Sequence, residues 1–239
     1  MQVQARDLLV RYAINEKGDW NKIYRSVINK ENVGCENIIK EEFITIIDKE
    51  YPERLRKIYN PPFVLFYKGN ISLLDNTKLI NIGAIRNGFY KTDLVNLMDL
   101  VYDKKFVYIV NHNTDIGKEI IKQNGKVVVI LNGGFNTIEE KLVQKIVMNG
   151  GLIITEYPND VFQGENDNTR ISSGLEDKLI VVSSKKSSSV MLQITHSLYL
   201  GHDKIYAMPE SPLQNRESQN NKIIDEGAMI FYNKKQLEE

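Results

Sequence analysis

The chain has 239 residues, 42% of them hydrophobic and 26% charged, a globular composition with room for one large α/β domain and a small appendage. Lysine plus arginine balances aspartate plus glutamate at 31 each, so no global positive field marks the chain for nucleic acid, and any polyanion site must be a local patch. Cys35 is the single cysteine, which excludes an intrachain disulfide and a thiolate metal cluster, and His112, His196 and His202 lack metal-ligand spacing.

Residues 1–48 carry apolar positions at helical spacing (Leu8, Leu9, Tyr12; Trp20, Ile23, Tyr24, Val27; Ile38, Ile39, Phe43) and are expected to form an N-terminal helical segment. The first residues, "MQVQARDLLVRYAINEKGDW", lack the apolar stretch and cleavage site of a secretory signal, and no apolar run approaches a membrane span, so the cytoplasm is the expected compartment. In "YPERLRKIYNPPFVLFYKG" (51–69), Pro61-Pro62 forbids helix and starts an extended run, Phe63–Tyr67, that opens a main domain over 49–239.

The runs "KLINIGA" (78–84), "FVYIVN" (106–111), "KVVVIL" (126–131), "GLIITE" (151–156), "KLIVVS" (178–183), "DKIYAM" (203–208) and "AMIFY" (228–232) read as strands. Helical-period stretches such as Leu94, Leu97, Met98, Val101 and Leu142, Ile146, Val147 lie between them. This alternation predicts an α/β fold, extended Rossmann-like, with a mainly parallel sheet covered by helices on both faces. Such sheets bind ligands at the carboxyl ends of their strands, near a topological switch point. The closing "NKKQLEE" reads as a frayed polar tail.

Four strand ends carry chemistry. In "INIGAIRNGFY", Gly83 admits a phosphate close to backbone amides and Arg86 adds a bidentate donor, although a tight turn with a solvated arginine explains the same residues. In "VILNGGFNTIEEKLVQKI", Thr137 and Glu140 form a capping box at a helix start. The competing reading is the G-G-x-G-T-x-x-E signature of the Lonely Guy phosphoribohydrolases, with Gly133, Gly134, Thr137 and Glu140 present and Asn136 where the third glycine belongs. In "NDNTRISSGLEDKLIVVS", Asn168 and Thr169 are placed to cap a helix or to contact phosphate oxygens, and Arg170, without an acidic partner at helical spacing before it, is expected to meet an external anion. In "SSKKSSSV", Lys185, Lys186 and Ser187 supply charges, hydroxyls and amides at a strand end, which suits a phosphate and equally suits a solvated loop. Phe89, Tyr90 and Phe162 lie near these ends as stacking candidates, with Phe162 in the polar loop "NDVFQGEND" foremost. No nucleophile constellation, metal set or dinucleotide fingerprint is visible, so neither an enzyme nor a cofactor is expected.

Taken in order, these pieces resemble the DNA-processing protein A (DprA/Smf) family. "YPERLRKIYNPPFVLFYKGNISLL" is similar to its Y-P-x-x-L-x-x-I-x-D-P-P-x-x-L-F-x-x-G-N segment with Asn60 for the aspartate, and "GGLIITEYP" to its G-x-x-(I/L)-S-E-Y-P block with Thr155 for the serine. "KIYAMPE" and "IIDEGAMI" are similar to its closing elements. The family's G-S-R is represented by Gly83 and Arg86 one residue further apart, its R-N-R by Asn168-Thr169-Arg170, and its S-G-(S/T) loop by "SSKKSSSV", which lacks the glycine and adds two lysines. The resemblance implies a homodimer that binds and protects incoming single-stranded DNA and helps load the RecA recombinase during natural transformation. Together with the strand-end reading, the expected DNA or phosphate contacts are Gly83, Arg86, Phe162, Asn168, Arg170, Lys185, Lys186 and Ser187. Two alternatives stay open: a nucleotide-binding or nucleotide-cleaving phosphoribohydrolase-like enzyme, and a degenerate relative retained as a dimerising partner.

Overall fold

The computed structural model describes residues 2–34, 41–75, 78–85, 91–164, 167–211 and 218–238. Arg86, Phe89 and Tyr90 lie outside the described residues, as do Cys35, Ile38 and Ile39.

Two helices lead: α1 (Gln2–Asn15) and α2 (Trp20–Asn29). The strands follow as β1 (Glu42–Thr45), β2 (Val64–Gly69), β3 (Leu79–Gly83), β4 (Val107–Val110), β5 (Val127–Ile130), β6 (Leu152–Thr155), β7 (Lys178–Val181), β8 (Ile205–Ala207) and β9 (Met229–Ile230). Helices α3 (Lys91–Val101), α4 (Asp115–Lys122), α5 (Glu140–Met148), α6 (Thr169–Leu175), α7 (Ser189–Tyr199) and α8 (Asn220–Asp225) connect them. The expected α/β architecture is therefore present.

One nine-stranded sheet runs β1-β2-β6-β5-β4-β3-β7-β8-β9. From β6 to β9 every pairing is parallel, and β2 joins β6 and β1 antiparallel. The chain moves outward from β3 through β4 and β5 to β6, then returns to place β7 on the other side of β3. The switch point thus falls between β3 and β7, where connections leave toward opposite faces and open a crevice at the strand ends.

Side-chain alternation divides the core in two layers. Ile80 and Ile82 of β3 face a layer built with Val10 and Tyr12 of α1, Ile23 of α2, Met98 of α3, Ile120 of α4 and Ile146 of α5. Leu79 faces the other layer, with Ile171 and Leu175 of α6, Leu55 and Ile58. Leu179 and Val181 of β7 continue that second layer against Val190 and Ile194 of α7 and Ile223 of α8. Central strands such as "VVVI" of β5 are apolar at every position because both faces are covered.

Two expectations are corrected. Residues 42–45, placed in the helical segment, form an edge strand: Ile44 is buried, and Phe43 pairs edge-to-face with Phe66 across the ladder at 6.5 Å. A strand also uses a buried residue flanked by polar ones, so Phe43 alone did not discriminate the periods. The closing residues are packed rather than frayed: Asn233 and Gln236 form a capping box and Leu237 is 3% exposed. No helix among the described residues is long and apolar enough to cross a membrane.

Candidate nucleic-acid interface

The carboxyl ends of the parallel strands form a crest. Between β3, β4, α6 and α7 it holds a cleft of about 100 Å³ lined by Asn81, Asn111, Asn168, Thr169, Ser189 and Gln193. These amide and hydroxyl groups share the lining with apolar side chains, among them Ile82, Ile109, Val110 and Val190, and no charged group lines it. Its floor is braced from behind: Asn81 Nδ2 donates to Glu176 at 2.5 Å, Ser197 Oγ also donates to Glu176, and the His202 ring contacts the same carboxylate at 3.4 Å. Burial pushes the Glu176 carboxyl up, although these three partners favour its ionised form. At the end of β4, His112 has a buried Nδ1 without a hydrogen-bond partner, and burial together with Lys118 lowers its pKa.

Gly83 ends β3 inside this region. Its carbonyl accepts from Val182 and Ser183, and a Cβ there would meet Val190 Cγ1 at 3.2 Å and Gln193 Oε1 at 3.4 Å. The glycine lets α7 approach the sheet. Asn168 donates to the Ile130 carbonyl at 3.4 Å and makes no side-chain cap of α6. That role falls to Asp167, whose Oδ1 accepts from the Thr169 amide and hydroxyl at 2.9 and 2.6 Å while Oδ2 meets His196 Nε2 at 2.7 Å.

Arg170 is the largest correction. It is 3% exposed, and its guanidinium donates to both oxygens of Glu156 at 2.8 and 2.6 Å, to the Asn60 carbonyl at 3.0 Å and to the Asp167 carbonyl at 2.7 Å. Burial opposes its charge, yet the Glu156 carboxylate holds its pKa up. A guanidinium so engaged fastens β6, α6 and the 51–62 segment together, and is not presented to an external anion. Helical spacing missed the partner because it comes from the residue after β6, 14 residues earlier. Asn60 turns its carbonyl toward Arg170 with φ of 49°, a left-handed conformation that asparagine tolerates. Tyr51, buried beside it, donates to the Pro62 carbonyl at 2.9 Å, and Gly174 of α6 leaves room for Ile58, whose Cγ2 would sit 2.4 Å from a Cβ. The proline-rich segment is therefore a structural clasp.

The Gly133-Gly134 pair is likewise occupied by the protein itself. A Cβ on Gly134 would lie 2.3 Å from the Pro158 carbonyl oxygen, and one on Gly133 would lie 2.9 Å from those of Val161 and Phe162. The Gly134 amide donates to Val161 at 2.6 Å, and the Thr155 hydroxyl donates to Gly133 at 2.6 Å. These glycines dock the 158–164 loop on the end of β5. Thr137 lies in a short 3-10 turn and donates to the Gly134 carbonyl at 2.7 Å; α5 starts later, at Glu140, after Glu139, so the expected capping box does not form.

Two elements of the crest face outward. Phe162, at the tip of the docked loop, is 77% exposed. After β7, Lys186 and Ser187 are exposed and Lys185 is half-buried; the loop is closed by the Ser188 amide donating to the Lys185 carbonyl at 3.1 Å and by a bridge between Lys185 and Ser218. Ser187 takes φ of 61° at the turn, in a loop whose family counterpart carries a glycine. The 158–164 loop sits above β5, three strand spacings or about 14 Å from β7. An exposed aromatic ring and a lysine turn thus lie at the ends of β5 and β7, with the ends of β4 and β3 between them.

Sheet order and helix layers define a Rossmann-like α/β protein with a cleft at its switch point and an exposed lysine turn after β7. The family model for DNA recombination-mediator protein A matches residues 42–239, and the chain belongs to that family. The chain is 29% identical over 204 residues to the DNA processing protein DprA of Bacillus subtilis, covering 79% of this chain and 67% of that protein. Its fold is shared with DprA from Streptococcus pneumoniae (TM-score 0.72, 20% identity, 96% of this chain and 94% of that one). It is shared too with DNA processing protein A from Helicobacter pylori, solved for its single-stranded DNA binding mode (TM-score 0.69, 18% identity, 82% and 94%).

Proposed function

We propose that the protein binds single-stranded DNA along the carboxyl crest without catalysing a reaction on it. The observation that carries this reading is the family match over 42–239, joined to a crest that presents a cationic turn and an exposed aromatic ring. Single-strand binding requires those two things, charges for the backbone and π-faces for the bases. Lys185, Lys186 and Ser187 take phosphates, Phe162 stacks on a base, and Asn168 with the cleft amides offers neutral hydrogen bonds. Gly83 and Arg170 hold the platform. Arg86, by its place after β3, completes the phosphate contacts. Within the family role, the protein acts as a homodimer that protects incoming DNA and helps load RecA during natural transformation.

The nucleotide-cleaving alternative loses its main support, since the backbone at Gly133-Gly134 is filled by the 158–164 loop. Fluorescence anisotropy of labelled oligo-dT, with duplex of equal length alongside, tests the proposal. Salt-sensitive binding that favours the single strand supports it, and equal or absent binding at low salt overturns it. Sedimentation of the free protein tests the homodimer, and pull-down of purified RecA tests the loading role.

A further inference from the structure

Helices α1 and α2 precede residues 42–239, so the family match does not account for them. The turn between them is docked on the crest. Gly18, with φ of 74°, lies against the residues that follow β6: a Cβ there would meet Tyr157 Cδ1 at 2.6 Å and the Glu156 carbonyl oxygen at 2.9 Å. A Cβ on Gly164, in the loop that carries Phe162, would overlap the same tyrosine ring. Tyr157, 1% exposed, is thus packed between the N-terminal turn and the Phe162 loop. Because β6 neighbours β5, the two elements lie side by side on the crest.

A row of aromatic rings continues from there. Trp20 Nε1 donates to the Pro61 carbonyl at 2.8 Å, and its indole stacks with Phe63 at 5.3 Å and with Tyr24 at 5.2 Å, the latter pair only 11° from parallel. Phe63 immediately precedes β2, which runs antiparallel to β6 and so starts at the crest end. Tyr24 is the outer ring of the row: it is 46% exposed and touches no ring but Trp20 among the described residues. Lys17 and Arg25 are exposed, and their side chains make no ion pair or hydrogen bond among the described residues. Lys22, by contrast, pairs at 3.2 Å with Asp19, the cap of α2. An open aromatic face suits a base or a second copy of this chain, and uncommitted cations on the same turn and helix favour the polyanion.

We infer that the N-terminal helix pair extends the single-strand path, with a base stacked on Tyr24 and the adjoining phosphates taken by Lys17 and Arg25. The strand then runs from the lysine turn after β7, past Phe162, to the start of β2, five strand spacings or about 24 Å in all. This inference rests on the crest reading and adds to it a segment outside the matched residues.

Anisotropy of labelled oligo-dT with variants of the full chain tests it. Tyr24→Ala is expected to weaken binding about fivefold or more, the loss of one stacked base. Tyr24→Phe keeps the ring and is expected to bind as wild type, as is Met148→Ala, altered at an exposed residue at the far end of α5. Lys17→Gln/Arg25→Gln is expected to weaken binding with a log–log salt slope shallower by about 0.7–1.4. If Lys185→Gln/Lys186→Gln weakens binding while the Tyr24 and Lys17/Arg25 variants bind as wild type, this inference alone is overturned. No binding by wild type overturns the crest reading and this inference with it. Should Tyr24→Ala unfold, photo-crosslinking of wild type to an oligo-dT carrying iododeoxyuridine is expected to give an adduct within residues 17–25, and adducts confined to other residues would contradict the inference. Sedimentation of Tyr24→Ala as a monomer beside a dimeric wild type would assign the ring to a second copy and overturn it too.

Discussion

Arg170→Ala separates a structural arginine from a DNA-contacting one. The substitution removes four donor contacts, two of them to Glu156, and leaves that carboxylate, itself 4% exposed, without its counter-ion. Breaking one side of a buried ion pair costs about 3–5 kcal/mol. In a chain of this length each kcal/mol moves Tm by about 2–4 °C, so a fall of roughly 10 °C is expected. Arg170→Met/Glu156→Leu removes both charges together and is expected to lose less than the single variant, because no unpaired carboxylate is left buried. Urea denaturation followed by circular dichroism reads these differences, and oligo-dT anisotropy at a temperature where the variants are folded reads the interface. An Arg170→Ala protein with unchanged stability but lost DNA binding would refute the clasp assignment.

Phe162→Ala is expected to weaken oligo-dT by about 1–3 kcal/mol, the worth of one stacked base, with Tm unchanged because the ring is 77% exposed. Gly134→Ala places a methyl 2.3 Å from the Pro158 carbonyl oxygen and is expected to lower Tm and displace the loop that carries Phe162; a crystal structure of the variant with that loop unmoved would contradict this. Asp167 provides a pH dependence. Its burial raises the carboxyl pKa, but hydrogen bonds from Thr169 and His196 outweigh this and leave it below the ordinary value of 3.8. A carboxyl with a lowered folded pKa stabilises fully above its unfolded pKa and loses that stability as pH falls through the folded one. Urea unfolding of wild type and Asp167→Asn from pH 6 to pH 3, a range of about three units around the ordinary carboxyl pKa, is expected to show the steeper acid loss in wild type. Parallel curves would contradict it.

The sheet was legible because buried parallel strands are apolar at every position: "VYIV", "VVVI" and "LIIT" admit few other readings between helical stretches. The crest followed from topology, which places Gly83, Asn168 and the lysine turn at strand ends. Long-range pairing was not legible. Arg170 meets a carboxylate just after β6 and a carbonyl from the proline segment, and neither lies at a helical spacing from it. The double glycine looked like a phosphate cradle, yet glycines answer equally to a close protein backbone, which only the docked 158–164 loop reveals. The tail read as frayed because Leu237 is a single apolar residue among charges, and one buried side chain with a capping box suffices to hold it.

The salt dependence of oligo-dT binding tests the crest most directly, comparing wild type with Lys185→Gln/Lys186→Gln by anisotropy across a salt series. Each phosphate contact adds a log–log slope of about −0.7 for a single strand, so the variant is expected to bind more weakly with a slope shallower by about 0.7–1.4. Equal affinity and equal slope in the two proteins would contradict the assignment of the lysine turn to the DNA backbone.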